Sequence, residues 1–336
     1  MEVYQLINEE FGTCYKSDND IVLSETIEKN KLSEEFIEKI ILSSLLINKE
    51  LVNSICAYQE LSENFIRKYS EILNWGIISK YQILSEELID EFSDKVKWSY
   101  ISAYQKLSET FIDKHEDDVS FKSIFERQKL SERFIRKCYY SKFYKMEISK
   151  HQNISEKFIE TNFSLIDWDF ISMYQKLSED FMNANFGKLN HLCISIYQKL
   201  SKTFIEKHKY NLRLKSINDN WIYKPTEEKK QAVIDTGKYD CNDDYFIAYK
   251  SIRPDRYSLY NFQYKYEKGG VYESWCDCSS DENSFGLNVG TKLHAEYYGS
   301  PFHNYIIVRC KVRYEDVGRI VHGGDKIRCF KIEILD

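Results

Sequence analysis

The octapeptide Tyr174-Gln175-Lys176-Leu177-Ser178-Glu179-Asp180-Phe181 recurs in close copies along most of this chain, and that recurrence restricts the fold more than any other feature. Aligned on their leucine, the copies fall at residues 32, 61, 84, 107, 130, 154 (an isoleucine), 177 and 200. After one early insertion the spacing is 23 or 24 residues. A fixed period of that size marks a stacked array, whose units bury their apolar faces only against one another.

Each copy carries its own start signal. Ser178 precedes Glu179 and Asp180, the order of an N-cap serine followed by carboxylates that favour the positive end of a helix dipole. Leu177 before the cap and Met182 inside the helix form a hydrophobic staple; the other copies place Ile66, Ile89, Ile112, Ile135, Ile159 and Ile205 at the second position. The reciprocal glutamate of a capping box is missing, because Phe181 holds its place.

A second helix begins fourteen residues after the leucine, at Trp75, Trp98, Phe121, Tyr144 and Trp168, a series that degrades to His191 and Leu214. On the same face follow an isoleucine and a tyrosine, as in Ile78 with Tyr81, Ile101 with Tyr104 and Ile171 with Tyr174. Two helices of about eight to ten residues per copy are too short to stand alone. The expected fold is therefore an α-solenoid of short two-helix repeats, period about 23 residues, followed by a small α+β domain.

One polar slot never changes: Gln59, Gln82, Gln105, Gln128, Gln152, Gln175 and Gln198. Its amide is expected to satisfy backbone groups in the turn before the next cap; the competing functional reading is a ladder that grips an extended peptide. Positions that vary among copies, such as Asn64, Glu87, Thr110 and Arg133, are polar and read as a solvated face, the alternative being that they also define a partner surface.

Residues 1–31 fit the repeat poorly, although Leu23, Ser24, Glu25 and Ile27 echo it, and are expected to cap the array; residues 32–224 form the array and 225–336 the C-terminal domain. All three prolines and nine of the twelve glycines lie beyond residue 224, where turns must therefore concentrate. There, 245–252 reads as a strand and 262–266 with 271–275 as a hairpin. A helix is expected at 291–298 and a strand at 305–314, with a final strand pair at 317–321 and 327–335.

Charge sets limits on partners. Residues 227–336 hold 16 basic and 18 acidic side chains, and the remainder 31 and 35, so neither part attracts nucleic acid. No run is apolar enough for membrane insertion, and Met1 to Asn8 lack a signal-peptide pattern. Nine unpatterned cysteines read as reduced thiols, which points to an intracellular protein. Cys276, Cys278, His294, His303 and Cys310 match no standard zinc spacing, so neither metal nor cofactor is expected.

The repeat resembles repeats abundant in uncharacterised proteins of mimivirus-like giant viruses. The stretches 246–256 (FIAYKSIRPDR), 260–264 (YNFQY), 283–287 (NSFGL) and 326–329 (KIRC) resemble a domain of those same proteins. Residues 286–298 and 306–317 are also similar to the C-terminal part of the rapid-lysis IIB proteins of T-even phages. These resemblances imply a viral origin, in host cytoplasm or virion, and supply no catalytic residue.

Three function classes follow. The first is a non-enzymatic protein-protein interaction scaffold with a protein partner, and the second a virion structural component. The third is an enzyme or nucleotide binder: the strand with Tyr249, then Ser284 to Leu287 entering a helix that ends in Tyr297, is similar to the motif order of ADP-ribosyltransferases, although neither candidate acid, Glu315 or Asp325, falls at that family's acid position. That family's opening His-Gly or Arg-Gly motif is missing, and Asn288 stands where it has an aromatic. A basic strand face of Arg309, Lys311 and Arg313, extended by Arg319 and Arg328, is the remaining candidate for binding phosphate or an acidic partner.

Overall fold

The computed structural model describes residues 3–12, 14, 16, 17, 27, 28, 30–43, 49–218, 220–281, 284–302 and 304–336. It consists of helices over roughly the first 230 residues, followed by an α+β domain built on an eight-stranded antiparallel sheet. Leu23, Ser24 and Glu25 lie outside the described residues. The chain divides into two compact units, Met1–Ser120 with Phe302–Asn304, and Phe121–Pro301 with Tyr305–Asp336.

In the first unit the helices Glu63–Lys68, Trp75–Tyr81, Glu86–Glu91, Trp98–Tyr104 and Glu109–Lys114 follow one another. They run six or seven residues, shorter than the sequence suggests. The reason is closure at both ends. A serine hydroxyl caps each first helix, as when Ser62 accepts from Phe65 N, and the glutamine backbone ends each second one. Phe65, Ile66, Ile78, Leu88, Ile89, Ile101, Phe111 and Ile112 fill the interior.

Each glutamine amide reaches back to the preceding pair of helices. Gln82 Nε2 donates to Cys56 O and Gln59 O, both at 2.8 Å, while its Oε1 accepts from Leu61 N at 3.0 Å. Gln105 repeats this on Ser79 O, Gln82 O and Leu84 N. A buried serine runs in parallel: Ser79 Oγ donates to Trp75 O and accepts from Lys97 N at 2.9 Å. Trp75 and Trp98 spend their indole N–H on Ser70 O and Ser93 O.

The second unit begins with helices of the same kind, among them Phe121–Arg127, Lys145–His151, Trp168–Tyr174 and His191–Tyr197. Gln152, Gln175 and Gln198 bond carbonyls of the preceding turn as Gln82 does. Where the glutamines end, Tyr223 takes over, its hydroxyl accepting from Leu200 N at 2.8 Å and donating to Gln198 O at 3.4 Å. Likewise His191 Nε2 meets Phe186 O at 2.9 Å where Trp75 used its indole. Trp168 instead lies under the Lys188 ammonium, 5.3 Å from the ring centre.

The sheet contains β1 (Asp240–Cys241), β2 (Tyr245–Ile252), β3 (Val271–Glu273), β4 (Leu287–Gly290), β5 (Ile306–Arg313), β6 (Val317–Val321), β7 (Lys326–Cys329) and β8 (Lys331–Ile334). Its order is β3-β8-β5-β2-β4-β7-β6, with β1 added to β2. Strands β2 and β5 pair over eight positions, from Tyr245 opposite Arg313 to Ile252 opposite Ile306. Phe246, Ala248, Val308, Cys310, Val312, Ile327, Ile332 and Ile334 form the core, and helix Thr226–Ile234 adds Val233 to it.

Two sequence expectations fail here. Residues 262–266 form no strand with 271–275. The Tyr272 hydroxyl donates to Lys265 O and accepts from Glu267 N, closing that loop by side chain, which frees β3 to pair with β8. The long final strand is two strands broken at Phe330, whose N–H leaves the ladder for Asp316 O at 2.8 Å. The turn between β6 and β7 uses positive φ at His322, Gly323 and Gly324. Gly318 is needed for a different reason: a Cβ there would lie 2.3 Å from Cys276 Sγ.

Candidate functional site

A cavity of about 780 Å³ lies within the second unit. Its walls come from the ends of helices Lys145–His151 and Trp168–Tyr174, the loop 258–266, residues 273–275, strands β2 and β4, the helix Lys292–Gly299, and residues 316, 326, 330 and 331. Bonds to helix carbonyls hold the loop in place, since Phe262 N donates to Arg127 O at 2.7 Å and the Gln263 side-chain Nε2 to His151 O at 3.1 Å. On the far wall Phe285 packs against Tyr174, with ring centres 4.7 Å apart, and against Tyr197.

Lys250 is the residue that sequence reasoning missed. Alternation along β2 puts it on the side of Phe246, Ala248 and Ile252, where a half-exposed strand places core residues. Its Nζ donates to Asn288 O at 2.9 Å and lies 5.2 Å from the Tyr266 ring centre. Among the described residues no carboxylate pairs with it, and burial pushes its ammonium below the usual lysine range. Lys326, 5% exposed, lies over the Tyr298 ring.

Three polar atoms of the lining are buried and unbonded: Trp275 Nε1, Asn288 Oδ1 and His294 Nε2. Such orphans are rare because each costs desolvation without a return. Burial also pushes His294 down, helped by His322, and drives His151 down to about 4, helped by Lys150 and Arg127, so both stay neutral at neutral pH. Asp316 moves the other way, up to about 6, chiefly through burial and then through Glu315. At the rim Lys331 bonds Glu273 at 2.7 Å and holds that carboxyl below its usual range.

The sequence candidates scatter. Of Tyr249, Ser284 and Glu315, Tyr249 alone lines the cavity. Ser284 precedes Phe285 without reaching the lining. Glu315 sits exposed in the turn Tyr314–Asp316, its carbonyl accepting from Lys229 Nζ. Residues 284–287 lead into strand β4, not into a helix, because Leu287 to Gly290 pair with Cys329 to Lys326. Asp325 is engaged with Lys238.

The basic strand face is balanced by its own neighbours. Arg309 pairs with Asp336 at 2.6 Å, and Lys311 with Glu333 at 3.1 Å, while Arg313 stands exposed at the end of β5. Arg319 lies over the Trp221 ring. Arg328 does not join that face: it is fully buried against Asp277, because β7 has both faces covered.

Cys276 and Cys278 are buried, and burial drives the Cys276 thiol up, as it drives Cys310 up to about 12. Among the described residues no three His, Cys, Asp or Glu side chains group as metal ligands, and His303 lies outside those residues. No helix among the described residues is long and apolar enough to cross a membrane.

The first unit holds a shallower groove of about 530 Å³ along its second helices, lined by Asn53, Tyr58, Ile77, Lys80, Tyr81 and Tyr100. The chain matches no family model, no curated protein and no solved structure.

Proposed function

We propose that this chain is a protein-protein interaction scaffold: an α-solenoid with a period of about 23 residues that presents its second helices to an extended segment of a protein partner. The observation that carries the reading is the groove of the first unit, where Tyr58, Tyr81 and Tyr100 come from successive second helices. The glutamine amides beneath are already committed to backbone, and the rings form the groove, Tyr100 exposed and Tyr58 and Tyr81 half-buried, with Lys80 Nζ bonded to the Tyr81 hydroxyl. Tyrosine suits that task, since it covers a large area at little cost in rotamer freedom.

Resemblance of the repeat to those of giant-virus proteins supports a viral origin, with host cytoplasm or virion as the place of action. Quantifying the protein in purified particles separates the two. The scaffold itself is tested by cross-linking the full-length protein to a captured partner and mapping the sites by mass spectrometry. Cross-links from Lys80 support the reading, and cross-links confined to residues 225–336 refute it.

A further inference from the structure

We propose that the cavity of the second unit binds a planar aromatic ligand carrying one anionic group, of about the size of a nucleoside monophosphate. It is a site separate from the partner groove. Its volume of about 780 Å³ falls in the range of small-molecule sites, which take most of their ligand out of water.

The charge is one-sided. Five lysines (Lys150, Lys176, Lys250, Lys326 and Lys331) line it against two carboxylates, Glu273 and Asp316. Glu273 is already spent on Lys331. Lys250 is recessed and, among the described residues, hydrogen-bonded only to a neutral carbonyl, and an anion would restore the favourable field that its burial removed. The Tyr266 face beside it holds the ammonium in place meanwhile.

The walls are aromatic. Tyr174, Tyr266, Trp275, Phe285, Tyr298 and Phe330 surround the space, and Trp275 leans on Phe330 with centres 5.5 Å apart. A flat ring buries its faces well against such walls. Within these walls the Trp275 N–H and the Asn288 side-chain carbonyl oxygen are buried without hydrogen-bond partners. Water filling, the competing account, offers no reason for a lysine without an ionic partner.

Calorimetric titration of the full-length protein tests this with four probes: adenosine 5′-monophosphate, indole-3-carboxylate, adenosine and inorganic phosphate. The first two separate a phosphate from a carboxylate as the anion. At least one of them is expected to bind below about 1 mM, and at least about tenfold more tightly than adenosine or phosphate alone. Lys250→Met is expected to weaken that binding at least about tenfold, with circular dichroism showing the fold retained. Failure of both anionic aromatics to bind overturns the proposal. So does adenosine binding as tightly as the better of the two anionic probes, a comparison that needs no variant, or unchanged affinity in folded Lys250→Met.

Discussion

Glu156 binds Ser178 twice, its Oε1 accepting from the serine N–H at 2.5 Å and its Oε2 from the hydroxyl at 3.0 Å. Ser178 meanwhile caps its own helix through Phe181 N. The reciprocal partner of a capping box is thus supplied by the preceding helix pair, and Glu63 with Ser85 and Glu132 with Ser155 repeat the backbone bond. Glu156→Ala is expected to cost about 1 kcal/mol and Ser178→Ala somewhat more, since it also removes the cap. Urea unfolding of the two variants and their double mutant should show less than additive loss; full additivity would mean the contact contributes nothing.

Gln82→Ala removes three bonds at once and strands Cys56 O, Gln59 O and Leu61 N in the interior. A loss on the order of 3 kcal/mol is expected by chemical denaturation. A loss under about 1 kcal/mol would show that the amide ladder is not what fixes the stacking.

Asp316 and His151 give opposite pH signatures. Asp316 titrates near 6 in the folded chain, above its ordinary value of 3.8, so the folded state holds the extra proton and stability falls as pH rises through that window. Asp316→Asn should therefore raise the melting temperature at pH 7 and leave it unchanged near pH 3.5. His151, lowered from 6.5 to about 4, makes stability fall as pH drops between those values. His151→Gln should flatten that loss, with thermal unfolding at pH 7 and pH 4.5 as the readout.

Arg328 and Asp277 meet at 3.2 Å with side-chain exposures of 0% and 1%. Cutting one partner leaves a buried charge, so Asp277→Ala is expected to cost about 3–5 kcal/mol. The exposed pair Arg309–Asp336 is a matched control, worth at most about 1 kcal/mol on Arg309→Ala. Equal effects at both sites would contradict the burial argument.

The helices were readable because their signals are local and repeated. Ser62, Ser85 and Ser108 announce caps that lie where their hydroxyls accept, and Trp75, Trp98 and Trp168 open the second helices. Strands β2, β5 and β6 lie where the sequence suggests them, β5 through its alternation of apolar and basic residues. Pairing did not, because β3 seeks β8 across sixty residues and no local pattern encodes that choice. The glutamate bridges were hidden for the same reason, each joining a serine to a residue of an earlier copy.

The cavity shows the limit most clearly. Lys250, Lys326 and Arg328 occupy core-facing or doubly covered strand positions, and a cation in such a register is a signal legible in FIAYKSI and KIRC. What it could not reveal is that Trp275, Asn288 and His294 would leave unbonded atoms around the same space. That depends on tertiary closure of segments more than a hundred residues apart.

The proposed scaffold is tested most directly by affinity purification from cells expressing the full-length protein or its Tyr58→Ala/Tyr81→Ala variant, their unfolding curves matched beforehand. Loss of a specific partner from the variant, with Lys250→Met retaining it, is the predicted result. Equal recovery of every partner by the folded double variant would contradict it.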